Sequence, residues 1–265
     1  MEAVSRSTKP VPAGRSAPSR ASASQSTWWG APVPAGLRAP DKASLLTQAL
    51  VGEAVLRHVA GLRVLDLGHG APEITQWMRR VCAALTVIPL AELDQEGDAL
   101  RIPTADASFD VVVSLRTLAH LGRDEASSLA MVRSLLAEAT RVTVPGGSLI
   151  LEISNPRSVR GLALGIRHPI TVVTRRSVIA EEHQVTRYDT LGRLLELAPA
   201  DLELAAVYGI RVLVPISRIL SIPLLGRVLA AGEWWARDSF LRHFGAHLLA
   251  VLRRPEPSRG KIARR

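Results

Sequence analysis

Val64-Leu65-Asp66-Leu67-Gly68-His69-Gly70-Ala71-Pro72 reads as a short apolar strand, a tight glycine turn and the first residues of a helix. Glycine lets a backbone approach a ligand closely, and a helix start offers N–H groups that no carbonyl of the helix uses. Turns of this kind occur widely, so the surroundings decide what this one belongs to. Upstream, Asp41 is a candidate N-cap for a helix over 42–60, with Leu46, Leu50, Val55, Leu56 and Val59 as its apolar positions and Gly61 as its stop. Downstream, residues 73–83 read as helix, 84–90 as a second strand, and 110–115 as a third built on Val111-Val112-Val113.

The clearest helical period lies over 124–143, where Leu129, Val132, Leu136, Ala139 and Val142 recur on one face. Asp124 and Glu125 suit the dipole at its start, Pro145-Gly146-Gly147 stops it, and 148–153 is again a strand. Strands alternating with amphipathic helices imply parallel pairing through right-handed crossovers. Strands that are apolar throughout imply a sheet covered on both faces. Beyond 155 the pattern loosens. A loop with irregular helix is expected to about 187, a short helix over 189–198, a strand over 202–214, two Leu-, Trp- and Arg-rich helices within 215–244, and a last strand over 246–252.

Charge divides the 265-residue chain unevenly. Residues 1–40 are rich in Ser, Ala, Pro and Arg and carry +4, residues 253–265 carry +5, and the body between them has as many acids as bases. The net +9 therefore describes two basic tails, expected to be disordered, around a neutral domain over 41–252. It does not describe a folded groove for nucleic acid. The first thirty residues have no apolar run of the signal-peptide kind. The most apolar region, about 204–232, is interrupted by Arg211, Arg218 and Arg227, which argues against a membrane span. A single cysteine, Cys82, permits no internal disulfide, suits a reducing cytoplasm, and excludes a cysteine-rich zinc site.

Two further blocks accompany the glycine turn. One runs Gly97-Asp98-Ala99-Leu100-Arg101-Ile102-Pro103 to Asp106-Ala107-Ser108-Phe109-Asp110-Val111-Val112-Val113-Ser114, followed by Leu118-Ala119-His120-Leu121. The other is Glu138-Ala139-Thr140-Arg141-Val142-Thr143-Val144-Pro145-Gly146-Gly147. In this order and spacing the three blocks resemble the class I S-adenosylmethionine (SAM)-dependent methyltransferases. The small-molecule branch that includes the ubiquinone and menaquinone biosynthesis enzymes is the nearest in look. The resemblance is full over 60–153 and looser over 184–252, through Arg187-Tyr188-Asp189-Thr190 and Gly245-Ala246-His247-Leu248-Leu249.

The resemblance implies a Rossmann-like, doubly wound α/β fold with seven strands, the last antiparallel, and helical insertions over 155–187 and 215–244 on the acceptor side. It implies that Asp66, Gly68, His69 and Gly70 hold the methionine end of SAM. Asp98 would meet the adenine with Ala99 beside it, and Ser114 would lie beneath the cofactor. His120 would face the acceptor as a candidate general base. The chain departs from the pattern in three places. Pro72 stands at the third small position of the turn. The second strand ends Val87-Ile88-Pro89-Leu90 without the acid that would bind ribose, leaving Glu92 or Asp94 as substitutes. Only seven residues separate Leu90 from Asp98, where a helix and the start of a third strand would normally fit.

Other chemistries lack their residues. There is no P-loop, no Gly-x-Ser-x-Gly elbow, no His-Glu-x-x-His or similar metal cluster, and no Asn/Asp-Pro-Pro-aromatic motif after the Val111–Ser114 strand. Methyl transfer from SAM to a small lipophilic or secondary-metabolite acceptor is the first expectation. The second is a non-catalytic relative that keeps the fold, has lost SAM and acts as a binding partner or regulator. Contact with a membrane surface through the basic tails and the Leu/Arg helices is compatible with either.

Overall fold

The computed structural model describes residues 39–68, 70–159, 161–162, 166, 186–214 and 217–256, with the backbone alone of 25–26, 32–33, 178–181 and 184–185. The expectation of disordered tails falls almost wholly outside these residues. Within the first tail, Gln25–Ser26 pairs antiparallel with Pro32–Val33.

Helix α1 (Lys42–Val59) starts where Asp41 accepts hydrogen bonds from the Ala43 and Ser44 amides. It leads through Gly61, at φ +73°, into β1 (Arg63–Gly68). Then follow α2 (Pro72–Val81), β2 (Ala84–Pro89), β3 (Phe109–Ser114), α3 (Glu125–Val142) and β4 (Thr143–Ser154). The chain continues with α4 (Leu191–Leu197), β5 (Glu203–Ile210), α5 (Pro223–Asp238) and β6 (His247–Arg253). Pro72 takes the first position of α2, where its missing N–H removes nothing the helix needs. The two helices expected within 215–244 are one, α5, between short 3-10 turns at Ser217–Ser221 and Phe240–Phe244.

The main sheet has the order β2-β1-β3-β4-β6-β5. The β1–β2, β1–β3 and β3–β4 pairs are parallel, and β6 runs antiparallel to both β4 and β5. This is the doubly wound, Rossmann-like fold with a reversed last strand. The sheet has six strands rather than seven. In the place of the expected third strand, Asp94–Glu96 and Ala99–Arg101 form a separate two-stranded hairpin. The segment after β2 is too short for a crossover helix and a strand. It turns back instead at Gly97, whose φ of +61° suits the first central position of a two-residue hairpin.

The core has two halves, one on each face of the sheet, because successive strand residues point to opposite sides. Val64, Val111, Val113, Ile150 and Leu249 pack with α1, α2 and α5. Leu65, Leu67, Val112, Leu149, Leu151 and Leu248 pack with α3 and α4. The hairpin is held to α3 by polar contacts. The Ser134 hydroxyl accepts from the Leu100 amide (2.7 Å), and Glu138 accepts from the Ile102 amide (2.9 Å). Arg141 donates to the carbonyls of Ile102 and Thr104 (both 2.9 Å) while paired with Glu138. Those bonds hold Glu138 below the usual carboxylate range.

On the α1 face, His58 Nε2 lies 2.8 Å from the Tyr208 hydroxyl. Burial, then the neighbouring Arg57 charge, lowers its pKa below the ordinary 6.5. The unfolded chain therefore takes up this proton first. The stability His58 contributes is present above about pH 6.5 and is lost as pH falls through the lower folded value. Thermal melts of the parent should show a decline through this window that is shallower in His58→Gln; parallel pH profiles would remove His58 as its source.

Candidate active site

Glycine permits an unusually close approach of β1 to β3 at the carboxyl end of the sheet. Gly68 has φ +95°, and a Cβ there would collide with the Thr117 hydroxyl. A Cβ on Gly70 would collide with the Leu115 carbonyl oxygen. Asp66 is buried at 2% exposure in β1, and its carboxylate accepts a hydrogen bond from the Thr75 hydroxyl of α2. Ser114 closes β3, fully buried, with no hydrogen-bond partner for its Oγ among the described residues. The structure thus brings Asp66, Gly68, Gly70 and Ser114 into one region, where the strand order reverses between β1 and β3. Ligands of open α/β sheets bind at such switch points.

A cavity of about 440 Å³ opens beside this turn. Its lining comes from the start of α1, the first turn of α2, the segment after β3, the end of β4, the segment after β5 and the start of β6. Every one of these lies at the carboxyl end of the parallel strands, because reversed β6 begins there. The chemistry is polar: Glu73, Arg116, His120, Glu152, Arg211 and His247 all line it. Glu152 is 4% exposed and lies 3.3 Å from His247 Nδ1. Two buried oxygens on the lining, Gln48 Oε1 and Glu73 Oε2, have no hydrogen-bond partner among the described residues. Buried acceptors of this kind call for a donor.

Of the described candidate site residues named from the sequence, only His120 lines this cavity, exposed on the 3-10 turn Leu118–His120. Glu92, Asp98 and Ala99 are exposed on the hairpin side. His69 lies outside the described residues, as does part of the expected acceptor-side insertion, 160, 163–165, 167–177 and 182–183. The described part of that insertion includes an antiparallel hairpin, Val178–Glu181 with Gln184–Arg187. Of the expected insertion over 215–244, Ser217 lines the cavity, Trp234 packs against the α1 face beneath Arg237, and Trp235 points outward at 61% exposure.

Gln48, Glu73, Arg116, Glu152, Arg211 and His247 were not foreseen. Glu152 had a signal, an acid inside the otherwise apolar run Leu149–Ile153. Arg116 and Arg211 had none, for their places depend on left-handed backbone, φ +56° and +59°.

The loop carrying Arg211 is pinned from below. Glu233 of α5, fully buried, accepts the amides of Val212 (3.0 Å), Leu213 (2.8 Å) and Val214 (2.7 Å). Burial raises its carboxyl pKa in spite of these bonds.

Residues 65–151 match the family model described as a methyltransferase domain. Comparison with curated proteins finds no match. Among solved structures, a SAM-dependent methyltransferase of Thermotoga maritima is 14% identical over 79% of this chain and 92% of its own, with a TM-score of 0.47. A SAM-dependent methyltransferase of Mesorhizobium loti is 18% identical over 78% of this chain and 98% of its own, with a TM-score of 0.46.

Two stability tests follow from this geometry. Gly70→Ala should cost about 1–3 kcal/mol by forcing the turn off the Leu115 carbonyl, measured by denaturant unfolding. Glu233→Ala leaves three amides without their acceptor and should cost roughly 3 kcal/mol or more. Unchanged midpoints would mean that the turn or the loop can relax away.

Proposed function

We propose that the chain is a SAM-dependent methyltransferase whose acceptor presents a polar end to the cavity. The observation that carries this reading is the placement of Asp66 and the Gly68–Gly70 turn at the strand-order reversal, beside a cavity with unpartnered buried acceptors. The methyltransferase-domain match over 65–151 supports it.

The residues present fit the amino-acid end of SAM. Gln48 Oε1 and Glu73 Oε2 would accept from its ammonium group, and the turn backbone would stand nearby. The adenosine side is less well furnished, since Glu92 and Asp98 are exposed and β2 ends without an acid. SAM, when bound, supplies a methyl group already activated by its sulfonium.

What remains for the protein is to orient the acceptor and exclude water. Arg116 and Arg211 would neutralise anionic groups on the acceptor, and Glu73 and Glu152 cationic ones. His120 would take the proton from an oxygen or nitrogen nucleophile, with the imidazole of His247, paired with Glu152, as the second base within the cavity. The charged lining favours a polar reacting end on the small lipophilic or secondary-metabolite acceptor expected from sequence. An acceptor with an apolar remainder, of the kind the quinone-enzyme resemblance implies, stays compatible with it.

Calorimetry with SAM and S-adenosylhomocysteine, backed by thermal melts, tests this reading. Ligand at about 100 times its dissociation constant should stabilise the native protein by roughly 2.7 kcal/mol. Asp66→Asn, which keeps an acceptor for Thr75, should weaken binding at least about tenfold, a cost near 1.4 kcal/mol. A folded protein that ignores about millimolar SAM would instead be the non-catalytic relative. The exposed Glu92 and Asp98 would then be the physical reason.

A further inference from the structure

Helix α5 turns an apolar stripe outward. Leu224 (77% exposed), Val228 (60%) and Trp235 (61%) fall four and seven residues apart along one side. Ile222 and Leu225 extend the stripe at the helix start. The opposite side of the helix is committed to the fold through Ala230, Glu233, Ala236 and Arg237, all buried. Large contiguous apolar surface of this kind marks an interaction face.

Its charge environment selects the partner. Arg218 and Arg227 are exposed near the start of the stripe, and of the two acids of α5, Glu233 is buried and Asp238 is paired with Arg57 and Arg237. Two copies docked face to face about a two-fold axis would set these arginines against each other. An anionic phospholipid surface offers what both features need, acyl chains for the stripe and phosphate for the guanidinium groups.

We propose that the outward face of α5 docks on an anionic phospholipid surface. This stands apart from the methyl-transfer reading and survives its failure. It places the cavity next to the bilayer, because Ser217 on the cavity rim opens the turn that leads into Ile222 and α5.

Co-sedimentation of the full-length protein with vesicles tests it, using phosphatidylcholine alone and phosphatidylcholine mixed with phosphatidylglycerol. The protein should bind the mixed vesicles and be released by salt. The triple variant Leu224→Ser, Val228→Ser, Trp235→Ser should bind at least about tenfold more weakly with an unchanged melting temperature, since all three side chains are exposed. A variant that binds as tightly as the parent would overturn the proposal and assign the binding to the basic tails. So would a parent that ignores anionic vesicles. A parent dimer that becomes monomeric in the variant would give the face to a second copy of the chain.

Discussion

The contact between the turn after β1 and the backbone after β3 governs the rest of the molecule. Gly68 and Gly70 bring the two segments together so closely that any side chain would push them apart. With that approach fixed, Asp66 is buried under the turn and bonded to Thr75 of α2. Glu73 and Arg116 then become walls of one cavity. The polar side chains here are not ornaments on a finished sheet. They sit where the order of the strands reverses and where no strand can fill the gap.

The hairpin after β2 obeys a different constraint, chain length. A full crossover would have given the sheet a seventh strand. The shorter segment folds back on itself and borrows its anchorage from α3. Ser134, Glu138 and Arg141 supply the hydrogen bonds that a neighbouring strand would have supplied. The third sequence block is therefore a clamp as well as a helix end, which explains why an acid and an arginine three residues apart stand at the edge of an apolar face.

The elements of the sheet were legible because period and punctuation agree in this chain. Asp41 caps α1, the 111–113 valine run lies within β3, and the α3 period marks its buried face. The reversed last strand came from the resemblance. The candidate site was legible at its floor and, among its walls, at His120. Asp66 and the glycine turn announce themselves because their chemistry is local to one stretch. The other walls do not, since the cavity joins six segments far apart in sequence. Two of its arginines depend on backbone conformations that no side-chain pattern encodes. Composition marks 215–244 as apolar but does not say which way its residues face. Helix α5 buries small and charged residues and turns Leu224, Val228 and Trp235 outward, the reverse of an ordinary surface helix.

Glu233 is the point at which these observations meet. One carboxylate holds three consecutive amides of the loop that starts at Arg211, and that carboxylate belongs to the middle of α5. Helix and loop are thus one lever, with the outward apolar stripe at one end and a cavity wall at the other. A rotation of the helix about its own axis would pull on the three amides that directly follow Arg211, which Glu233 holds at 2.7–3.0 Å.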